Sequence, residues 1–272
     1  MKRVLSVQDI SCIGRCSQTV ALPVISAMGC RCDILPTAIF STHTAFPDPH
    51  RHSLTGDMLP VIDHWTSVGV EFDAILVGYL SDEAQISAVQ TVFDRFPALR
   101  ILDPAMGDGG KLYSGIAPAH AEAMKQLCEK ADILLPNITE AAFLTGLPYR
   151  EAPDPVYFEE LLAALDRFGA KAMILTGAAP EDRAGFYGCR GGETFAYSTA
   201  RQPDCHGTGD LFAAAFTGGV MRLDNVSLAA ELAADFVEKA LSETKTRSLY
   251  GVEFERVLPW LCHRLQKTKD SR

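Results

Sequence analysis

The chain lacks several things that would have settled its function class early. It has no block of lysine or arginine: 25 basic residues are dispersed among 34 acidic ones, for a formal net charge of −9. Binding along a phosphate backbone relies on clustered basic side chains, so no nucleic-acid groove is expected. No run reaches the roughly 18 apolar residues of a membrane span; the longest, Leu211 to Val220, is broken by Thr217 and two glycines. Met1-Lys2-Arg3-Val4-Leu5-Ser6-Val7-Gln8 turns polar before a signal-peptide core can form. Cytoplasmic location and no membrane contact are therefore expected. The eight cysteines are scattered. Neither Cys12 with Cys16 nor Cys30 with Cys32 has the C-x-x-C spacing of a zinc site, so buried free thiols are expected. The seven histidines contain no H-E-x-x-H cluster, which argues against a metallohydrolase. Familiar nucleotide motifs also fail. After Gly207 and Gly209 a dinucleotide fingerprint needs glycine at 212, where Phe212 stands, and after Gly110-Lys111 a P-loop needs Ser or Thr where Leu112 stands.

What is present is an ordinary globular composition, 47% hydrophobic and 22% charged over 272 residues, with strands and helices in alternation. Strands are expected at Val4 to Val7, Cys32 to Ala38, Asp73 to Tyr79, Leu99 to Leu102, Asp132 to Leu135 and Lys171 to Leu175. A final pair near 185–188 and 193–198 reads as an antiparallel edge. Helices are expected from the cap Ser17 to Met28, over 54–68 with Met58, Leu59 and Ile62 inward, and after the cap Ser81. Further helices should cover 119–130, the Asn137-Ile138-Thr139-Glu140 capping box up to Gly146, and the stretch after Asp154-Pro155. The last three fall at 209–222, 226–243 and 253–266. This alternation predicts an α/β fold, a three-layer α/β/α arrangement with a mostly parallel central sheet and helices on both faces. No linker or repeat divides it, so one domain over residues 1–272 is expected. Ligands of such sheets bind beyond the carboxyl ends of the strands. Asp9, Tyr79, Asp103, Asn137 and Thr176 each fall at or just past such an end, and should share one crevice.

The centre of the chain's chemistry is His206-Gly207-Thr208-Gly209-Asp210, followed at once by a small apolar helix. The glycines let backbone N–H groups approach a ligand closely, and the helix start adds unpaired donors and the positive end of its dipole. That combination suits a phosphate. A carboxylate beside it does not help to bind an anion; Asp210 makes sense as the group that takes a proton from an attacking hydroxyl. A second stretch, Asp103-Pro104-Ala105-Met106-Gly107-Asp108-Gly109-Gly110-Lys111-Leu112-Tyr113, has the glycines of a mobile lid that would exclude water, with Lys111 a candidate phosphate contact.

These pieces resemble the vitamin B6 kinases, pyridoxal and pyridoxamine kinase, of the ribokinase superfamily. The resemblance rests on Phe40-Ser41-Thr42-His43-Thr44, Gly78-Tyr79-Leu80, Asp103 to Asp108, Ala131 to Asn137 with Glu140, and Gly207-Thr208-Gly209-Asp210, in that order along nearly the whole chain. It implies a ribokinase-like fold and ATP-dependent phosphorylation of the 5′-hydroxymethyl group of a B6 vitamer. It also implies that Asp210 is the base and that Gly207, Thr208 and Gly209 form the anion hole. Asn137 and Glu140 would hold Mg²⁺ through water with Asp103 near the metal, and Thr176 would touch the nucleotide phosphates. Asp108, Lys111 and Tyr113 would fold over ATP, while His43, Thr44 and Tyr79 would line the pyridine pocket. A homodimer is implied as well. One departure stands out: where many relatives read Gln-Ser-His, this chain has Gln8-Asp9-Ile10, so a carboxylate at 9 would face the ring's hydroxyl or nitrogen and bear on vitamer preference. Hydroxymethylpyrimidine or sugar kinases of the same superfamily, and a non-catalytic B6-binding protein, are the alternatives.

Overall fold

The computed structural model describes residues 1–203, 205–245 and 249–271. The elements follow one another as β1 Arg3–Ser11, α1 Gln18–Ala27, β2 Arg31–Phe40, β3 Arg51–Ser53, α2 Thr55–Ser67, β4 Ala74–Val77, α3 Glu83–Arg95 and β5 Leu99–Leu102. A short ribbon, β6 Gly107–Asp108 and β7 Lys111–Leu112, precedes α4 Pro118–Cys128, β8 Ile133–Leu134, α5 Ile138–Thr145 and α6 Pro155–Leu165. The chain ends with β9 Ala172–Thr176, β10 Arg183–Arg190, β11 Glu193–Ala200, α7 Thr208–Leu223, α8 Val226–Glu243 and α9 Leu258–Asp270.

Nine of these strands form one sheet in the order β11-β10-β9-β8-β5-β4-β1-β2-β3. From β2 to β9 all neighbours run parallel, while β3, β10 and β11 are antiparallel additions at the two edges. Side chains of a strand alternate between faces, and the core divides accordingly. Val4, Leu76, Ile101 and Ile133 meet α1, α7, α8 and α9 through residues such as Val20, Phe216, Phe236 and Leu261. Leu5, Val7, Val77, Leu102 and Leu134 meet α2 to α6 through Ile62, Val89, Met124, Leu144 and Leu161. The three-layer α/β/α arrangement is thus a direct consequence of period-two patterning. Phe216 and Phe236 are fully buried, and burying a side chain of that size stabilises a fold by roughly 1.5–3 kcal/mol.

Two features position a site. The chain leaves β1 for β2 on one side and returns to β4 on the other. A crevice opens at such a reversal, outside the carboxyl ends of the strands. Facing it is the start of α7, whose body is held between α1 and α8. A Cβ on Gly218 would lie 2.5 Å from the Met28 sulfur, and one on Gly219 would lie 3.0 Å from the Ala229 Cβ. Side chains at these positions would push the helix away.

Several sequence expectations are corrected. β1 runs on to Ser11, so Asp9 lies inside the strand. β1 pairs with β4 only as far as Val7 with Val77, however, and its register against β2 shifts between Gln8 and Ile10. Asp9 therefore sits at an irregularity above the parallel part of the sheet, where such distortions re-aim side chains. The glycine-rich stretch read as a mobile lid is in part the β6–β7 ribbon. Ser17 occupies the N-cap position of α1 without making a cap hydrogen bond. Asp82, not Ser81, caps α3, accepting from the Gln85 N–H at 2.9 Å. Leu59 is 46% exposed while Met58 and Ile62 are buried, because the inward row of α2 follows i and i+4. The last helix begins at Leu258 instead of 253, with Pro259 in its first turn. All eight cysteines are free, but only Cys30 and Cys128 are buried and Cys12 is exposed.

Candidate active site

The start of α7 is built by close backbone packing. Gly207 is its N-cap at φ 85°, a left-handed conformation that costs glycine little. A Cβ there would lie 2.2 Å from the Arg15 carbonyl oxygen. The Arg15 N–H donates to the Tyr250 carbonyl at 2.9 Å, and the Val252 N–H donates to the His206 carbonyl at 3.2 Å. Three distant segments, the loop after β1, the turn before α7 and the stretch before α9, thus cross at one point. Thr208, Gly209 and Asp210 form the first turn of α7, the end at which helix N–H groups lack intrahelical partners.

Asp210 lines the crevice. The Cys16 thiol donates to its Oδ2 at 3.2 Å, and the Ser17 backbone N–H faces the carboxylate and favours its ionised form. Burial raises the pKa of Asp210, against those two donors and the attraction of His43. Asp9 is its neighbour. It is 4% exposed and accepts from the Ser17 hydroxyl at 2.6 Å and the Ser11 hydroxyl at 3.2 Å. Burial pushes the Asp9 carboxyl from 3.8 up to about 6, with repulsion from Asp210 adding to it and the two serine hydroxyls opposing. Cys16, Ser17 and Ser11 escaped the sequence reading. The sequence offers Cys16 only as a metal ligand and Ser17 only as a helix cap, and nothing local in it shows that a residue at a cap position will turn its hydroxyl back toward the preceding strand.

On the other side of Asp210 lie Asp103, just past β5, and Glu140. Asp103 is raised by burial and then by Asp210; Glu140 is raised by burial and then by Asp103. The capping box expected at α5 is present. The Asn137 side chain accepts the Glu140 N–H at 2.9 Å, and Glu140 Oε2 accepts the Asn137 N–H at 2.9 Å. The same two side chains reach the segment leading into the ribbon. Asn137 Nδ2 donates to the Gly107 carbonyl at 2.8 Å, and the Met106 N–H donates to Glu140 Oε1 at 3.1 Å. The Gly110 N–H adds a bond to the Thr139 hydroxyl at 3.0 Å. Through these bonds Asn137 and Glu140 hold the backbone around β6.

The remaining expected residues divide. Tyr113, 43% exposed overall, comes near the acidic group: desolvation of its hydroxyl, then Glu140, Asp108, Asp103 and Asp210, raise its pKa. Thr176, the last residue of β9, bridges to Asn137 across the strand ends. Asp108 and Lys111 are exposed on the ribbon, and Asp108 Oδ1 is turned to the Gly109 N–H at 2.8 Å. Tyr79 is near Asp9, whose charge helps raise its pKa after burial, and its ring meets Phe40 edge-on at 6.0 Å. His43 is buried among Phe46 and His206, with ring centroids 5.1 and 5.4 Å away. Its Nε2 bonds the Leu249 carbonyl and its Nδ1 accepts the Ala45 N–H. Both nitrogens are thus engaged within the protein, the proton resides on Nε2, and burial lowers the pKa. Only the ring surface of His43 is left for a ligand. Thr44 is exposed on the adjoining turn.

Among the described residues no group of three or more His, Cys, Asp or Glu side chains forms a metal cage. The donor chemistry nonetheless fits a hard cation. Asp103 is repelled by Asp210 and itself repels Glu140, and oxygen donors such as Asp103 and Glu140 suit Mg²⁺, which commonly keeps several waters and uses one or two carboxylates with substrate phosphates.

The phosphomethylpyrimidine kinase family profile matches residues 22–252. A protein of Bacteroides thetaiotaomicron VPI-5482, provisionally assigned as a phosphomethylpyrimidine kinase and solved in a form with pyridoxal, superposes with a TM-score of 0.91 at 32% identity, covering 96% of this chain and 95% of that one. The pyridoxal kinase of Lactobacillus plantarum superposes with a TM-score of 0.90 at 32% identity, covering 97% of each chain. The pyridoxine/pyridoxal/pyridoxamine kinase of Bordetella avium (strain 197N) is 29% identical over 89% of this chain and 85% of that protein. Fold and matches together define a ribokinase-like kinase. The chain belongs to the phosphomethylpyrimidine kinase family, and pyridoxal kinases are among its relatives.

Proposed function

We propose that this protein is an ATP-dependent kinase that transfers the terminal phosphoryl group to the 5′-hydroxymethyl group of a vitamin B6 vitamer. The observation that carries the reading is the position of Asp210, a carboxylate in the first turn of α7, with Asp9 on one side and Asp103 on the other. Phosphoryl transfer passes through a loose transition state, so catalysis is mainly positioning and charge stabilisation. Asp210 orients the substrate hydroxyl and takes its proton as the O–P bond forms. Its raised pKa makes it a stronger acceptor for that proton than an ordinary carboxylate. The backbone N–H groups of Gly207, Thr208 and Gly209 receive the developing charge on the phosphoryl oxygens. Mg²⁺, held by Asp103 and, through water, by Asn137 and Glu140, would supply further charge neutralisation. Thr176, Asp108, Lys111 and Tyr113 form the nucleotide side, and Asp9, Tyr79, Thr44 and the ring surface of His43 form the vitamer side. We also infer a single domain, a homodimer and a cytoplasmic location; among the described residues no helix is long and apolar enough to cross a membrane.

The family's own description favours a second reading, a hydroxymethylpyrimidine kinase. Both substrates are hydroxymethyl heterocycles, and a carboxylate at 9 suits either a pyridinium N–H or an aminopyrimidine edge. Side-by-side turnover of pyridoxal, pyridoxamine, pyridoxine and hydroxymethylpyrimidine with ATP and Mg²⁺ decides between them. The B6 reading expects the highest kcat/KM with one of the three vitamers. A preference for the pyrimidine, or for a sugar, would overturn it.

A further inference from the structure

Ser17 has a backbone conformation that asks for glycine. Its φ is 49° and ψ −122°, and only two other non-glycine residues among those described, Asp48 and Asp224, have positive φ. It is buried, bridges to Ile10, and its carbonyl receives the first bonds of α1 from the Val20 and Ala21 N–H groups. Glycine could make every one of those backbone contacts without strain. What serine adds is a hydroxyl, and that hydroxyl does not cap the helix; it donates to Asp9 Oδ1 at 2.6 Å. The backbone N–H of the same residue faces the Asp210 carboxylate and favours its ionised form. One strained residue thus bonds one carboxylate and faces a second that repels the first.

We propose that Ser17 is a positioning residue that sets the ring end of the substrate pocket, its hydroxyl fixing Asp9 at the ring of the substrate while its backbone N–H faces Asp210 at the hydroxymethyl end. The assignment of those two ends rests on the B6 kinase reading. The groups that face Asp9 are the Ser11 and Ser17 hydroxyls, Asp210 from α7, the Cys16 thiol from the loop before α1, and Tyr79 from beyond β4. The serine hydroxyls, with its own backbone N–H as a smaller contribution, favour its ionised form, and the Ser17 hydroxyl is the largest of these. Removal of the Ser17 hydroxyl therefore moves the ionisation of Asp9 upward, and an Asp9 that is neutral at working pH no longer attracts a protonated ring nitrogen or orders a ring hydroxyl.

Ser17→Gly is the informative variant, because it removes the hydroxyl, relieves the backbone and keeps the N–H toward Asp210. Ser17→Ala removes the hydroxyl and keeps the strain. Losing a charge-assisted hydrogen bond should raise the Asp9 midpoint by about one pH unit in both variants, read by NMR titration of ¹³C-labelled aspartate carboxyls. With the preferred vitamer, KM should rise about twofold at pH 7 and about fivefold at pH 6, as the ionised fraction of Asp9 falls, while kcat of Ser17→Gly stays near wild type. The acid limb of kcat/KM should shift in the same direction as the NMR midpoint, and Ser17→Gly should unfold at the higher temperature of the two variants. An unchanged Asp9 midpoint in Ser17→Gly overturns the proposal. So does a loss confined to kcat with KM and the acid limb unmoved. The titration requires no turnover: if the midpoint moves but wild type phosphorylates no B6 vitamer, the link from Ser17 to Asp9 stands and the vitamer reading falls.

Discussion

Gly207 and Gly209 flank Thr208, yet the structure assigns them opposite sensitivities. A Cβ on Gly207 would lie 2.2 Å from the Arg15 carbonyl oxygen, on a backbone at φ 85°. Alanine in that conformation costs about 1–2 kcal/mol before any clash is counted, and the contact is with backbone, so the loop carrying Cys16 and Ser17 must shift. Gly209 has ordinary helical geometry, and a Cβ there would meet nothing within 4 Å. Replacing a helical glycine with alanine typically stabilises by about 0.5–1 kcal/mol. In a chain of this size 1 kcal/mol moves the melting temperature by about 2–4 °C. Gly207→Ala should therefore melt several degrees below wild type, with activity reduced, and Gly209→Ala should melt at or slightly above wild type. Gly209→Ala should nevertheless lose activity, because its methyl group occupies the space through which phosphoryl oxygens must approach the helix N–H groups. Scanning calorimetry of the ligand-free variants, paired with kcat and KM for ATP, tests both halves. A Gly209→Ala protein that is fully folded and fully active would refute the anion-hole assignment.

Two further outcomes are expected. Asp210→Asn keeps the size and most hydrogen bonds of the side chain but cannot take a proton, so kcat should fall by about 10²–10⁴-fold while ATP binding, read by calorimetry, persists; near-normal turnover would remove Asp210 from its role. Asp9 in turn makes stability depend on pH with a defined sign. Below about pH 4 it is protonated in both folded and unfolded chains; between about pH 4 and 6 the unfolded chain ionises it first, so stability declines as pH rises, and above that the penalty is constant. Displacement from 3.8 to about 6 corresponds to about 3 kcal/mol. Asp9→Asn should flatten that part of the wild-type stability profile and raise the melting temperature at pH 7.5. Identical profiles for the two proteins would show that Asp9 is not the buried titrating group.

The layers of the fold were legible because they depend on patterns that lie within each segment. Val4 with Leu76 and Leu5 with Val77 alternate as a two-sided strand must, and the Asn137-to-Glu140 box is a local signal with a local outcome. The crevice was legible for a similar reason, since carboxyl ends of parallel strands collect ligands whatever their details. What could not be read depends on pairings between distant residues. The irregularity at Asp9 exists only against β2, and the ribbon around Gly107 is ordered through Asn137 and Glu140, some 30 positions later. The engagement of both His43 nitrogens requires Leu249 and Ala45, so the sequence could show a histidine near the pocket but not that its polar atoms were taken. Ser17 is the clearest case. As a serine before a helix it reads as a cap, and only the proximity of Asp9 and Asp210 gives it another task.

The crossing of the loop after β1, the turn before α7 and the stretch before α9 also bears on when the site can first exist. Arg15 bonds Tyr250, and His43 bonds the Leu249 carbonyl, contacts that join the beginning of the chain to a segment more than 200 residues downstream. During synthesis the N-terminal strands and their helices emerge long before that segment does, and contacts of such sequence separation form late and slowly. A nascent chain can therefore hold most of its sheet while the vitamer pocket remains unmade. Substrate and nucleotide have nowhere to meet until the segment around Tyr250 has left the ribosome.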